Sequence, residues 1–501
     1  MSAKTQTLDG WIKTHATHQP DRIALSFEGK DWSYRGLSEW VDQLAGYLQG
    51  GLGLKRGARV AYYGKNSAAQ VALMFACAKL GLLFVPLNWR LKPAELNYVL
   101  RDCAPGVLFH SDEFAADVAA VLSGVDARSV SIDGGLGAGE FGAPSAEGAL
   151  SDPFLIVYTS GTTGRPKGAV ISQEAVLWNA LMSVHAHDFT PQDHTLNLLP
   201  LFHVGGINIQ MMPTFFVGGR VSLHAAFEPD AALRAMEAEG ITSTVCVPTV
   251  MKALLAHPRW GAAEFPAMRL INTGSTDVPV EILEAVNARG IPMVQVYGTT
   301  ETGPIATYQK AGEAAATIGS IGRCGAHTQV SVRRDDGTEC APEEAGEIWV
   351  LGPNNFTEYW NDPAGTAAAL EEGWFKTGDI AYQDKDGLFW FAGRSKHVII
   401  SGGENIYPAE LERVLSRLSG VLEAAVVGCP HPKWGEVPVV AIVVSDKGPD
   451  EAAILAAFGD EIARFKHPKG VVFLEALPKN ALGKVLVDEV RALVKAQTSF
   501  A

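Results

Sequence analysis

Four hydroxyls, three glycines and a lysine fall within one run, Tyr158-Thr159-Ser160-Gly161-Thr162-Thr163-Gly164-Arg165-Pro166-Lys167-Gly168. Glycines let backbone N–H groups crowd around an oxyanion, hydroxyls add donors, and Lys167 adds a point charge. The run follows an apolar strand-like stretch, Phe154 to Val157, so it reads as a phosphate cradle at a strand end. It is not a Walker loop, because Pro166 stands where that pattern needs its second glycine. A second glycine pattern, Gly137-Ala138-Gly139-Glu140-Phe141-Gly142, matches a dinucleotide fingerprint in letters only. Ala143-Pro144-Ser145 follows it and does not open a helix, so a Rossmann reading is rejected.

Four further runs lie downstream, in order. They are Tyr297-Gly298-Thr299-Thr300-Glu301, then Trp374-Phe375-Lys376-Thr377-Gly378-Asp379, then Gly393-Arg394-Ser395-Lys396 leading into Ile400-Ser401-Gly402-Gly403-Glu404-Asn405-Ile406-Tyr407-Pro408, and finally Pro478-Lys479-Asn480-Ala481-Leu482-Gly483-Lys484. Together with the phosphate run they resemble the signature motifs of the acyl-adenylate-forming, AMP-binding superfamily. That superfamily includes acyl-CoA synthetases, luciferases and the adenylation domains of peptide synthetases. The resemblance spans essentially the whole chain. It implies ATP, Mg2+ and coenzyme A as co-substrates and cofactor, and a carboxylic acid as the small-molecule partner. A carboxylate is a poor electrophile and is first activated as an acyl-adenylate; coenzyme A then takes the acyl group.

The resemblance also implies roles. Lys484 reaches from the small domain to the α-phosphate and the attacking carboxylate, where a cation lowers the barrier. Glu301 is the candidate magnesium ligand, with Thr300 beside it near the α-phosphate. Thr159, Ser160, Gly161, Thr162, Thr163, Gly164 and Lys167 take the phosphates, and the Tyr297-Gly298-Thr299 run also belongs to the ATP/AMP-binding residues. Asp379 and Arg394 hold the ribose hydroxyls. Gly274-Ser275-Thr276 lies against the adenine, although Ser275, Thr276 and Asp277 depart from the G-x-A-P common in the family. Lys396 is the hinge about which the small domain rotates between the two half-reactions. His397 follows it where an acidic residue is frequent, and reads as a solvated side chain or a tuner of the hinge. His203, in Leu199-Pro200-Leu201-Phe202-His203-Val204, gates the acyl pocket.

Coenzyme A is favoured as acceptor by the turn Ser401-Gly402-Gly403 and by Trp434 in His431-Pro432-Lys433-Trp434-Gly435-Glu436. Phe465 sits where relatives contact the nucleotide of coenzyme A, although His467 replaces a frequent arginine. The pocket walls expected from the resemblance are His203–Met212, Val247–Val250, Asn272–Thr276 and Tyr297–Ile305. They are mostly apolar and hold no arginine, which disfavours a dicarboxylate. Apolar walls admit an aliphatic chain or an aromatic ring. The fatty-acid reading is placed first and a feruloyl- or coumaroyl-type aromatic acid second. A stand-alone loader of carrier proteins, a luciferase-like oxygenase and a non-catalytic nucleotide-binding protein remain as rivals, since one fold hosts several chemistries.

The elements that position these residues follow from periodicity. Strand and helix patterns alternate through the first three-quarters: Ala58–Gly64, Ser67–Leu80, Ser243–Pro248, Val250–Ala256, Met268–Thr273, Val280–Arg289 and Met293–Tyr297. This predicts an α/β fold, a large N-terminal domain of parallel-rich sheets with helices. Gln329–Arg334 and Glu347–Leu351, with the turn Asp335-Asp336-Gly337, predict a small antiparallel β subdomain. Beyond Arg394 a mobile α+β C-terminal domain is expected, with helices Ala409–Leu418, Glu451–Phe465 and Leu486–Ala496. The expected division is 1–394 and 395–501.

Composition sets bounds. The 501 residues are 47% hydrophobic with a formal net charge of -14, so neither nucleic acid nor an anionic membrane is an expected partner. The six cysteines are scattered, which suits reduced thiols in a cytoplasmic enzyme. Met1 to Asp21 is polar and lacks the core of a signal peptide. Ala68 to Leu87, the most apolar stretch, is broken by Lys79 and Gly81 and reads as a buried helix and strand, not a membrane span. A homodimer is compatible with the sequence.

Overall fold

The computed structural model describes residues 7–133, 141, 144–145, 147–160, 166–274, 278–401, 404–459, 462–480 and 484–498, and of Ser160 only the backbone. The glycine-rich decoy therefore lies largely outside the described residues.

The apolar stretch forms a central element. Ser67 caps a helix, Ala68–Leu80, by accepting a hydrogen bond from the Gln70 N–H at 3.0 Å. Gly81 ends it in the left-handed region at φ 64°, where a side chain would be strained. All its residues except Ala69 are buried. They share one core with Leu25 and Val221 of one sheet and Phe84 and Phe154 of another. A helix apolar on every side is stable only when covered on every side, which explains its place between sheets.

The first sheet has nine strands, in the order Arg323–Cys324, Thr307–Tyr308, Met293–Tyr297, Leu270–Gly274, Ser243–Val245, His194–Asn197, Arg220–Leu223, Ile23–Phe27 and Lys30–Ser33. Its strands are parallel from Met293–Tyr297 to Ile23–Phe27 and antiparallel at both edges. The second has seven: Glu358–Tyr359, Pro166–Ser172, Pro153–Ser160, Leu83–Pro86, Arg59–Tyr63, Val107–His110 and Arg128–Ser131. It too is mostly parallel, with the antiparallel pairs at one end. The expected α/β architecture is present.

The third sheet is antiparallel throughout. Gln329–Arg333 pairs with Gly346–Leu351, which pairs with Trp374–Gln383, and both Leu370–Glu371 and Phe389–Arg394 pair with the last. The fourth sheet follows Arg394. Its long antiparallel ribbon, Val421–His431 with Gly435–Val444, is flanked by Ile399–Ser401 and by Val471–Phe473, with Glu404–Ile406 outermost. Ile399, Leu411, Val426, Val440, Ile454 and Phe458 form its core beneath the helix Pro408–Ser416.

Two expected elements differ. The strand beginning at Ser243 stops at Val245, because Pro248 opens the helix Pro248–Leu255 from its first turn. The helix expected over Glu451–Phe465 covers only Glu451–Ala456. Gly459 closes a tight turn by donating to the Ala456 carbonyl, and Arg464–Lys466 forms a separate 3-10 turn. Among the described residues no helix is long and apolar enough to cross a membrane.

Phe75, fully buried on the central helix, meets Phe215 edge-on at 5.5 Å. Phe75→Ala should cost about 3–5 kcal/mol. The expected outcome is a loss of several degrees in the melting of the N-terminal sheets, read by differential scanning calorimetry.

Candidate active site

The phosphate run begins on a hairpin of the second sheet. Thr159 stands opposite Lys167 and Ser160 opposite Pro166. The Thr159 hydroxyl donates to the Lys167 carbonyl at 3.4 Å. Gly161, Thr162, Thr163 and Gly164 lie outside the described residues, as does the Ser160 side chain. Lys167 is well placed. Its ammonium pairs with the Asp362 carboxylate at 2.9 Å and stands 4.9 Å from the centre of the Tyr359 ring. The Asp362 carboxylate also accepts from the Gly365 N–H at 2.7 Å, capping the helix Pro363–Ala369. The lysine, then that N–H, hold the carboxyl below its ordinary range.

A second arm ends the strand Met293–Tyr297. A Cβ on Gly298 would come 2.0 Å from the Pro304 carbonyl oxygen, so the chain turns back through a space that admits glycine alone. The Thr299 N–H donates to the Thr302 hydroxyl at 2.9 Å, closing the 3-10 turn Thr300–Thr302. That turn carries Glu301, 9% exposed, whose Oε1 accepts from the Tyr359 hydroxyl at 2.8 Å. Gly274 ends the adjacent strand, where a Cβ would meet the Val296 carbonyl oxygen at 2.4 Å. Ser275 and Thr276 lie outside the described residues.

Asp379 lies where the first and third sheets meet, 3% exposed. The Tyr297 hydroxyl donates to its Oδ2 at 2.9 Å. Arg394, directly opposite on the neighbouring strand, brings Nε to 2.9 Å from Oδ1. That contact is an ion pair without hydrogen-bond alignment, and Oδ1 accepts no hydrogen bond among the described residues. A buried carboxylate oxygen lacking a donor costs free energy, so the arrangement fits a ligand hydroxyl. Burial pushes the Asp379 carboxyl above its ordinary value, opposed by Arg394, Tyr297 and Lys484.

Lys484 brings the fourth sheet's domain to this point. Its backbone is fixed by reciprocal bonds, the Lys484 N–H to Asn480 Oδ1 at 3.0 Å and the Asn480 N–H to the Lys484 carbonyl at 2.9 Å. The residue is exposed to water and lies within electrostatic range of Asp379 and Arg394. Desolvation first, then the charges of Arg394 and Lys396, lower its ammonium to about 8, while Asp379 opposes the fall.

His203 precedes the short helix Val204–Asn208. Its Nε2 is buried and has no partner among the described residues, and burial lowers the ring to about 4, so it is neutral near pH 7. The next contribution to its shift comes from Arg90, whose guanidinium lies 5.7 Å from the Phe202 ring beside it. Arg90 lies outside the expected wall segments but close to Phe202.

Lys396 lies in the 3-10 turn Ser395–His397, between the last strand of the third sheet and the first of the fourth. Its ammonium is 4.0 Å from Asp488. Of the two readings of His397, the solvated side chain does not hold: it is half-buried, with Nε2 inaccessible and unpartnered among the described residues, and burial lowers it to about 4. Farther into this domain, Ser401, Trp434 and Phe465 come together with Glu404 and Lys469 around a cavity of about 160 Å³. Trp434 and Phe465 are 43% and 47% exposed, which is unusual for such large rings. The Trp434 loop is tied by its own N–H and that of Lys433 to His431 Nδ1. Gly402 and Gly403 lie outside the described residues.

The sequence reading missed Tyr359, Asp362 and Arg90. Asp362 before Pro363 is a legible helix start, but nothing local points from it to Lys167.

A phosphate hairpin, a buried acid with its arginine, and a lysine delivered by a second domain define a nucleotide-activating enzyme. The AMP-binding enzyme family matches residues 12–360, and the C-terminal domain of AMP-binding enzymes matches residues 410–484. The chain belongs to this family. It is 45% identical to the indoleacetate–CoA ligase of Aromatoleum aromaticum, over 98% of this chain and 99% of that protein. It is 39% identical to a feruloyl-CoA synthase of Amycolatopsis sp, over 97% and 99%. Among solved structures it resembles o-succinylbenzoate CoA synthetase from Bacillus subtilis in complex with its acyl-adenylate intermediate, with TM-score 0.88, 31% identity and coverage of 96% and 97%. The same enzyme has been solved with ATP and magnesium ion, with TM-score 0.86, 30% identity and coverage of 96% and 98%. The chain is an AMP-forming acid–CoA ligase.

A lysine near 8 makes the first half-reaction pH-dependent. Its charge is present below that value and lost as pH rises through it. Pyrophosphate exchange without coenzyme A should therefore fall above about pH 8. In Lys484→Arg the falling limb should disappear, because arginine stays charged. Lys484→Ala should lower the rate on the order of 10²–10³-fold with nucleotide binding largely kept.

Proposed function

We propose that this ligase activates an aromatic carboxylic acid, of the arylacetic or hydroxycinnamic type, with ATP, Mg2+ and coenzyme A. The observation that carries the reading is the near full-length similarity to an indoleacetate–CoA ligase and a feruloyl-CoA synthase. It reverses the order expected from the sequence, which placed fatty acids first; fatty-acid metabolism has no support among these relatives. A chemical observation agrees. The segments expected to form the acyl walls contain buried polar atoms without partners among the described residues: His203 Nε2, Asn208 Oδ1, the Gln210 amide, Asn272 Oδ1 and Thr273 Oγ1. A hydrocarbon chain gives such atoms nothing, at about 1–3 kcal/mol each, whereas a ring with an N–H or hydroxyl can pair with them.

The carboxylate attacks the α-phosphorus, the bond to the departing diphosphate breaks, and acyl-AMP forms. Lys484 offsets the charge that develops on the α-phosphate and on the attacking oxygen. Thr159 and Lys167, with the hydroxyls and glycines between them, hold the outer phosphates, and Asp379 with Arg394 holds the ribose. Thr300 stands beside the α-phosphate. Glu301 fits magnesium: no group of three metal-binding side chains comes together among the described residues, so it would hold the ion jointly with phosphate oxygens. Bound there, the ion neutralises phosphate charge. Gly274 borders the adenine. In the second half-reaction the thiolate of coenzyme A attacks the acyl carbonyl and AMP leaves. Lys484 occupies the approach to that carbonyl, so we place a rotation at Lys396 between the steps, with residues 1–394 and 395–501 as the bodies that turn. Trp434, Phe465 and Ser401 then receive coenzyme A. The six free thiols fit a reducing cytoplasm.

The likeness to o-succinylbenzoate CoA synthetase favours one second reading, an aromatic acid with a further carboxylate. An AMP-release assay with ATP and magnesium tests both, across indole-3-acetate, ferulate, 2-succinylbenzoate and decanoate, with and without coenzyme A. Turnover with the first two, at least tenfold above decanoate and dependent on coenzyme A, is expected. Preference for decanoate overturns the aromatic assignment, and equal AMP release without coenzyme A overturns the acceptor.

A further inference from the structure

The candidate magnesium carboxylate and the phosphate-run lysine are far apart in sequence, and one side chain touches both. Tyr359 donates its hydroxyl to Glu301 Oε1 at 2.8 Å and turns its ring face to the Lys167 ammonium at 4.9 Å. An anion binds the edge of a phenol through the hydroxyl and a cation binds its face, so the two interactions do not compete. The position of Tyr359 is fixed from several sides. Tyr359 pairs with Ala169 on the strand that carries Lys167. Its own N–H donates to the Thr366 hydroxyl at 2.9 Å, and its ring packs on Phe356 at 4.8 Å. The Phe356 N–H in turn donates to the Glu301 carbonyl at 2.7 Å, so one short segment holds both backbone and side chain of the glutamate.

We propose that Tyr359 is a positioning residue that makes magnesium and the nucleotide phosphates bind as one unit. By occupying Oε1 of Glu301 it leaves Oε2 as the single oxygen presented to the ion, and its ring keeps Lys167 beside the same phosphates. Asp362, paired with Lys167 at 2.9 Å, completes the seat of the lysine without touching the glutamate. The proposal rests on the reading of Glu301 as the metal-holding residue.

The test is calorimetric binding of ATP to the full chain, with and without magnesium, for the wild type, Tyr359→Phe, Asp362→Asn and Glu301→Gln. Wild type should bind more tightly with magnesium. Tyr359→Phe keeps the ring under Lys167 and loses the hydroxyl. It should retain its metal-free ATP affinity and lose most of the magnesium-dependent gain, with the magnesium concentration for half-maximal pyrophosphate exchange rising about five- to tenfold. Asp362→Asn still caps its helix and should keep the magnesium gain while shifting the metal-free affinity. If Tyr359→Phe melts well below the wild type, Tyr359→His, which keeps a ring and a donor, should recover the gain. A full gain in Tyr359→Phe together with a lost gain in Glu301→Gln overturns the role of Tyr359 alone. A full gain in both overturns the reading of Glu301.

Discussion

The carboxylate of Asp379 holds this site together, and its position is costly. A carboxylate removed from water needs charge and donors in compensation, and each compensating group comes from a different part of the fold. Tyr297 arrives from the nine-stranded sheet, Arg394 from the next strand of the antiparallel sheet, and Lys484 from the last domain. The acid therefore draws on three structural units, through a hydrogen bond from Tyr297, an ion pair with Arg394 and the nearby charge of Lys484. Among the described residues one of its oxygens still lacks a hydrogen-bond donor, which leaves room for a ligand hydroxyl.

The contact between the last domain and the rest is of a different kind. The described bonds across it include Ser416 Oγ to Glu281 at 3.1 Å and Arg413 to the Phe391 carbonyl at 3.5 Å, both on the helix Pro408–Ser416. Bonds of this length and exposure are worth at most about 1 kcal/mol each. The sheets on either side have separate cores. The two cores are therefore joined in part through weak polar contacts, which is what the rotation proposed above would need.

The parts of the site legible in the sequence are those whose chemistry is local. Gly298 and Gly274 sit where the backbone passes too close to a carbonyl for any Cβ, so their identity is dictated within a few residues. Asp379 and Arg394 were legible as motif residues, and the antiparallel register then set them face to face. Tyr359 was not legible. Its two partners come from a different sheet strand and a different turn, and no spacing in the chain encodes their meeting. The approach of Arg90 to Phe202 escaped for the same reason, since the two are far apart in sequence. The failed helix at Glu451–Phe465 was a local error, in which apolar periodicity outweighed the glycine at 459. The preference for fatty over aromatic acids could not be read at all, because apolar walls look alike for both.

The nine-stranded sheet also sets an order on the chain's own synthesis. Its strand Ile23–Phe27 pairs in parallel with Arg220–Leu223, Leu25 lying against Val221. At translation rates of about 5–20 residues per second, the early strand waits roughly 10–40 s for that partner to leave the ribosome. Until then it has only the short hairpin strand Lys30–Ser33 beside it and exposes a bare edge. The second sheet draws its parallel strands from residues 59–160, so it can close first and offer the nascent helix Ala68–Leu80 one of its two covering faces. The protein's greatest exposure to misassembly therefore falls in the interval between those two closures.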